Sequence, residues 1–151
     1  MIDNKQKYEN YKEQFKRLNK AIDNQFYLEA MFISYAIIED RSEAILSYEG
    51  NEIQSDGFVS IDRKLKKIKK TAEEKKALPH KYFSAEMIDS ALCWKDKRNS
   101  LIHALLKKQL TTEELALAAE EGRMLARGFA SKATSYKRAV ERRLMRIQNN
   151  A

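Results

Sequence analysis

The chain has little of what cross-links a protein or turns its backbone sharply. Its 151 residues include one cysteine, one proline and four glycines. The single cysteine, Cys93, excludes an internal disulfide and a cysteine-cluster zinc site, and it fits a reducing compartment. So few prolines and glycines cannot supply the turns of a many-stranded β protein. Apolar residues instead recur at gaps of three and four, which predicts an all-α fold.

Long hydrophobic runs are missing as well. The first residues, Met1 to Lys5, lack the apolar core that a signal peptide needs. No later run approaches the roughly 18 apolar residues that span a bilayer. We therefore expect a cytoplasmic protein that is neither exported nor embedded in a membrane.

Positive charge is what the chain has in excess. The formal net charge is +7 and the isoelectric point is near 9.4. A basic surface raises the rate of encounter with polyanions, of which nucleic acid comes first and acidic membrane second. Lysines that are simply solvated produce the same excess, so charge alone identifies no partner.

Helical periodicity divides the chain into four or five helices within one domain over residues 1–151. A first amphipathic helix is predicted over about residues 5–20, and a central helix from Phe26 until turn-forming residues between 50 and 57. A third, lysine-rich helix follows, the chain breaks near Pro79, and a fourth helix starts near Ser84. We expect these helices to form an up-and-down bundle.

The last helix is predicted to be unusually long. Thr111 and Glu114 form a capping box at its start, and its apolar stripe continues through Leu144 to Ile147. Gly122 lies on this stripe, where the lack of a side chain permits close approach of another helix. About 36 residues at 1.5 Å each reach roughly 54 Å, more than a small bundle needs. The distal part is therefore predicted either to project as a basic arm or to contact a second subunit.

The most informative stretch is the hexad RNSLIH at residues 98–103, in the predicted fourth helix. Arginine stays charged and forks onto a phosphate, while histidine titrates near neutral pH, so the pair suits phosphodiester chemistry. Arg98 and His103 lie about 140° apart around an α-helix, whereas Asn99 and His103 are nearly aligned. Arg98 must therefore use its length, lie at a helix start, or face a site assembled from two chains.

The hexad resembles the motif of the HEPN superfamily, in which an arginine and a following polar residue precede a histidine on a late helix. Active members include metal-independent endoribonucleases of toxin, antiviral and RNA-processing systems. The specific part of the likeness is Arg98, Asn99 and His103, while helix order extends it over most of the chain. The resemblance implies a bundle that dimerises so that two copies of the motif meet in a shared groove. Some members carry a tyrosine two residues after the histidine, where this chain has Leu105.

The reaction that the resemblance implies is RNA cleavage without a metal or cofactor, leaving a 2',3'-cyclic phosphate. His103 would act as general base or acid and Arg98 would stabilise the phosphorane oxygens. Asn99 would orient His103 or bind the phosphate. RNA, a second copy of the chain and an antitoxin protein are the implied partners, and the protein would act as a toxin or antiviral effector. The alternatives are a non-catalytic helical module that binds nucleic acid or a protein, and an accessory subunit of a nucleotidyltransferase.

Two basic stretches are candidates for contact with the RNA. The third helix presents a cationic face that includes Lys64 and Lys67, and the distal last helix carries Arg142 and Arg143. Such stretches are ordinarily solvated faces. The functional interpretation is that they bind the RNA backbone, and binding then falls steeply as salt rises.

Three further residues have both a structural and a functional interpretation. Asp40 lies near the apolar stripe of the central helix while Glu39 points away, so Asp40 is either a buried carboxylate paired with a cation or an accessory to the site. Trp94 is predicted to be a core residue, and the alternative is an indole that stacks on a base. His80 is predicted to be exposed, and with His103 alone it does not make a metal site.

Overall fold

The computed structural model describes residues 3–48 and 59–151, and these residues form an all-α fold. The described α-helices are α1 (Asn4–Asp23), α2 (Tyr27–Tyr48), α3 (Ile61–Glu73), α4 (Ala85–Ala104) and α5 (Thr112–Asn149), with a 3-10 helix (Leu78–Lys81) before α4. The predicted all-α class, the number of helices and the long C-terminal helix are confirmed. The turn predicted between residues 50 and 57 lies outside the described residues. No described helix is both long enough and apolar enough to cross a bilayer.

Local side chains explain where α4 and α5 begin. Ser84 caps α4, because its hydroxyl accepts a hydrogen bond from the Met87 amide at 3.1 Å. The predicted capping box starts α5: the Glu114 amide donates to Thr111 Oγ1 at 3.1 Å, and the Thr111 amide donates to Glu114 Oε2 at 2.9 Å. The backbone and side-chain hydrogen bonds from Thr111 lower the pKa of the Glu114 carboxyl. The backbone amides of Thr111 and Glu114 at the start of α5 are therefore hydrogen-bonded by side chains of the same turn.

The chain divides into two compact units. The first comprises Met1–Ile37 and Cys93–Ala126, and the second comprises Ile38–Leu92 and Arg127–Ala151. Helices α2, α4 and α5 each contribute one part to each unit. The single domain over residues 1–151 stays a prediction.

Trp94 organises the core of the first unit. Its side chain is 1% exposed, and its indole N–H donates to the Ala118 carbonyl of α5 at 2.8 Å. Gly122, one turn further along α5, lies against the same ring: a β-carbon there would lie 2.8 Å from Trp94 Cε2 and 3.2 Å from Ser34 Cβ of α2. The predictions that Trp94 is a core residue and that Gly122 permits close approach are confirmed.

Tyr136 of α5 organises the core of the second unit. Its ring centroid lies 5.4 Å from that of Phe83, 5.8 Å from that of Tyr82 and 6.4 Å from that of Tyr48. The rings are tilted or edge-on to one another, the arrangement that aromatic quadrupoles favour. Burial of this one ring therefore joins α2, α5 and the segment that precedes α4.

The buried stripe of α5 ends before the helix does. Along this helix the second unit buries residues at intervals of three or four: Phe129, Ala133, Tyr136 and Ala139. Leu144 and Ile147, which continue the predicted apolar stripe, are 55% and 59% exposed. Whether this distal part projects as a basic arm or contacts a second subunit stays a prediction. Beyond residue 140 every residue of α5 is exposed.

We expect Gly122→Ala to destabilise the protein by about 1–3 kcal/mol, because the added methyl would overlap an indole that its hydrogen bond holds in place. Gly128→Ala is the matched control on the same helix, where an added β-carbon meets no atom within 4 Å. The better helix propensity of alanine should make this control more stable by up to about 1 kcal/mol. Urea denaturation measures both changes. Equal effects of the two substitutions would contradict the close approach at Gly122.

Candidate functional site

The hexad occupies the last turns of α4, which ends at Ala104. Arg98 and Asn99 are half-buried, Ser100 and His103 are exposed, and Leu101 faces the core. The end of one helix thus carries a partly enclosed arginine and a histidine that is open to solvent.

Tyr35 of α2 fixes the guanidinium of Arg98. The Arg98 Cζ atom lies 4.5 Å from the centroid of the Tyr35 ring, which is a cation–π contact. Arg98 Nη1 donates to Asn99 Oδ1 at 2.9 Å, and Arg98 Nε is buried without a hydrogen-bond partner among the described residues. Tyr35 was not among the predicted site residues. The contact joins two helices, and spacing within either helix gives no sign of it.

The histidine of the hexad has a different environment. Within the described ranges, the His103 imidazole forms no hydrogen bond or ion pair, whereas Arg98 is held by Asn99 and Tyr35. The structure therefore brings Arg98 and Asn99 together and leaves His103 unattached. A shared groove formed by two chains stays a prediction.

The carboxylates at the middle of α2 do not lie as predicted. Asp40 is exposed rather than buried, and its Oδ2 lies 2.7 Å from Arg41 Nη2. The expectation that Glu39 points away is wrong, since its Oε1 lies 3.4 Å from Lys64 Nζ of α3. Helix phase within α2 was misjudged by about one residue. Asp40 belongs to the second unit and the hexad to the first, so an accessory role of Asp40 stays a prediction.

Lys64 is part of the core of the second unit rather than of a solvated face. Its side chain is 7% exposed, and its Nζ lies 3.0 Å from Glu43 Oε2 and 3.4 Å from Glu39 Oε1. Burial lowers the pKa of Lys64, but the hydrogen bonds and charges of the two carboxylates outweigh it and raise the pKa overall. A buried ammonium with two carboxylate partners is poorly placed to bind a phosphate. Lys67 is exposed, as a residue that binds RNA needs to be.

The two predicted arginines of α5 line a cleft in the second unit. The cleft has a volume of about 510 Å³ and lies between the 3-10 helix region and the distal part of α5. Its cationic side chains, which we call the five-cation cleft, are Lys76, Lys81, Arg142, Arg143 and Arg146. Among the residues that the structure describes, no carboxylate lines it. Lys76 and Lys81 were not predicted, because no periodicity connects the segment around Pro79 with α5.

Two other candidates have clear outcomes. Trp94 is buried and therefore has no free face on which a base could stack. His80 is exposed, as predicted, and its Nδ1 lies 2.7 Å from the Ala72 carbonyl oxygen. In residues 3–48 and 59–151, no three side chains among His, Cys, Asp and Glu are grouped so as to bind a metal ion.

Comparison with protein-family models, curated proteins and solved structures finds no match to this chain. Two arrangements are distinctive: an arginine fixed on a tyrosine ring, and five cations that converge on one cleft.

We expect Lys64→Ala to lower the free energy of unfolding by about 1–3 kcal/mol, because it removes a packed stem and leaves two carboxylates unpaired. Lys67→Ala is the matched control, since Lys67 is exposed on the same helix, and it should change stability by less than about 0.5 kcal/mol. Urea denaturation at neutral pH measures both.

The effect of Lys64 should also depend on pH with a definite sign. Because its pKa is raised in the folded protein, its contribution is complete below the ordinary value of 10.5 and is lost as pH rises through the folded value. The difference between wild type and Lys64→Ala should therefore shrink in strongly alkaline buffer. A difference that grows with pH would contradict the ion pairs.

Proposed function

We propose that the protein is a metal-independent endoribonuclease that acts as a homodimer, with Arg98 and His103 as its catalytic residues. The observation that carries this proposal is the state of Arg98, whose guanidinium is fixed by a ring and an amide. No described carboxylate forms an ion pair with it. A fixed cation that keeps its charge is what stabilises a pentacoordinate phosphorane. The resemblance of the hexad to the HEPN motif adds the reaction class.

In this proposal His103 transfers the protons. Its exposed imidazole is accessible to a 2'-hydroxyl or to a leaving 5'-oxygen. The 2'-hydroxyl loses its proton and its oxygen bonds to the adjacent phosphorus, then the bond to the 5'-oxygen breaks and that oxygen gains a proton. The products are a 2',3'-cyclic phosphate and a 5'-hydroxyl. Arg98 stabilises the negative charge that builds up on the non-bridging oxygens.

A second copy of the chain completes the proposed site. Arg98 and His103 lie about 140° apart around α4, so a single helix face does not present both to one phosphate. A two-fold axis beside the end of α4 would place Arg98 of one protomer near His103 of its partner. Exposed apolar side chains next to His103 support such a contact, among them Ile102 and the fully exposed Leu106.

The biological role in this proposal is that of a toxin or antiviral effector in the cytoplasm, held inactive by an antitoxin protein. The HEPN resemblance supports this role. The second candidate function is a non-catalytic module that binds nucleic acid. The five-cation cleft favours it, because a basic cleft binds a polyanion whether or not the chain cleaves it.

We expect the purified protein to cleave single-stranded RNA in the presence of excess chelator and to leave 2',3'-cyclic phosphate ends. His103→Ala should lower the rate by about 10²- to 10⁴-fold, the usual contribution of a general acid or base. His80→Ala is the matched control, because it removes an exposed imidazole outside the hexad. Gel analysis gives the rates and mass spectrometry the product ends. Full cleavage by His103→Ala would refute the catalytic assignment.

A composite site also predicts complementation between inactive variants. Arg98→Ala and His103→Ala should each be inactive alone, yet a mixture should recover up to about one quarter of wild-type activity. Half of the dimers in an equal mixture are mixed, and one of their two sites contains both intact residues. A mixture that stays inactive while subunits are shown to exchange would contradict the shared groove.

A further inference from the structure

The five-cation cleft is unusual because five cationic side chains without acidic partners line one concavity. Within the part of the chain that the structure describes, none of its five cationic side chains forms an ion pair or hydrogen bond. Two other lysines of the same unit do have acidic partners: Lys69 Nζ lies 2.8 Å from Asp89 Oδ1, and Lys64 pairs with two glutamates. Among the described residues, the charge of this cleft is thus left without a carboxylate to balance it.

The arginines of the cleft continue the buried face of α5. The cleft-lining residues of this helix follow the spacing i, i+3, i+4, i+7: Ala139, Arg142, Arg143 and Arg146. Ala139 and, one turn earlier, Tyr136 are the last buried members of that face. Beyond the core, the residues of α5 that line the cleft are all arginines. Lys76 and Lys81 line the opposite wall.

Five like charges around one concavity repel one another unless a polyanion occupies it. Arginine forks bind phosphate oxygens in pairs, and lysine adds a point charge. The wall also includes Tyr82, and a positive groove with an aromatic side chain is how proteins bind single strands without reading their sequence.

We infer that the five-cation cleft binds the phosphate backbone of single-stranded RNA. The choice of RNA among polyanions rests on the proposed function, and the cleft adds to it a binding surface formed by residues outside the hexad. Its described lining is the five cations with Leu78, Tyr82 and Ala139. These residues offer few groups for base edges, so the cleft recognises the backbone rather than a sequence.

An anionic membrane is the competing ligand, because distal α5 also exposes apolar side chains. Leu144 and Ile147, however, do not line the cleft. A helix that lies on a membrane directs its cations to the bilayer surface beside its apolar face. Here the arginines are directed instead into a concavity that they share with lysines of another segment, which favours a strand that enters the cleft.

The test measures RNA binding and its salt dependence in a His103→Ala background, where the RNA stays intact. The probe is a fluorescent single-stranded oligonucleotide of mixed sequence, titrated by anisotropy between about 50 and 200 mM salt. Arg142→Gln with Arg146→Gln should weaken binding at least about tenfold at the lower salt. It should also reduce the slope of log affinity against log salt by about 1.4, or roughly 0.7 for each lost phosphate contact.

The charge-matched control is Lys5→Gln with Lys12→Gln, which removes two exposed cations from α1. It should leave the salt slope unchanged. Equal slopes for the two double variants would overturn the inference, because net charge alone would then govern binding. Binding of phosphatidylserine vesicles that requires Arg142 and Arg146, with RNA binding unaffected by them, would also overturn it.

Failure of the cleft and failure of the proposed function give different results. If RNA binds at the cleft and is never cleaved, the nuclease proposal fails and the cleft stands. If RNA is cleaved through His103 while the arginine substitutions leave the salt slope unchanged, only the inference about the cleft fails. Removing like charges from an exposed helix end should leave the melting temperature unchanged or raise it, and circular dichroism checks that each variant is folded.

Discussion

The packing around Trp94 is the constraint on which the first unit depends. The indole fills the space against Gly122 and Ser34, so it sets how closely α2 and α5 approach α4. Arg98 lies four residues after Trp94 and therefore one turn along the same face of α4. Tyr35 follows Ser34 directly on α2. The contact between the guanidinium and the tyrosine ring is thus a consequence of how the large ring and the glycine fit together.

The basic residues of this chain fall into two physical classes. Lys64 is buried and two carboxylates balance its charge. It therefore contributes to stability, and its ammonium group is poorly placed to bind a ligand. Arg98 and the cations of the cleft have no acidic partner among the described residues. Charge without a partner is unfavourable for the folded chain and useful to a bound phosphate. The proposed function follows from this second class and not from the net charge.

The sequence was informative where a feature depends on neighbours along the chain. The capping box of α5, the burial of Trp94 and the role of Gly122 were all predicted, because hydrogen-bonding groups and helical spacing determine them locally. Predictions that needed the rotation of a helix about its axis were less reliable. Glu39, for example, was assigned to the wrong face of α2. A shift of one residue is enough for such an error.

The residues of the candidate sites were likewise predictable only where they are neighbours along the chain. The hexad could be recognised from its spacing. Tyr35 contacts Arg98, and Lys76 and Lys81 line the five-cation cleft, only because segments distant in the chain come together.

The close fit of Gly122 to Trp94 has a consequence for how this chain can evolve. A larger residue at position 122 is compatible with the fold only if position 94 becomes smaller, so the two positions are expected to change together rather than singly. Because the same ring determines where Arg98 lies, drift at either position would displace the guanidinium. Selection on Arg98 would then be visible at a glycine on another helix.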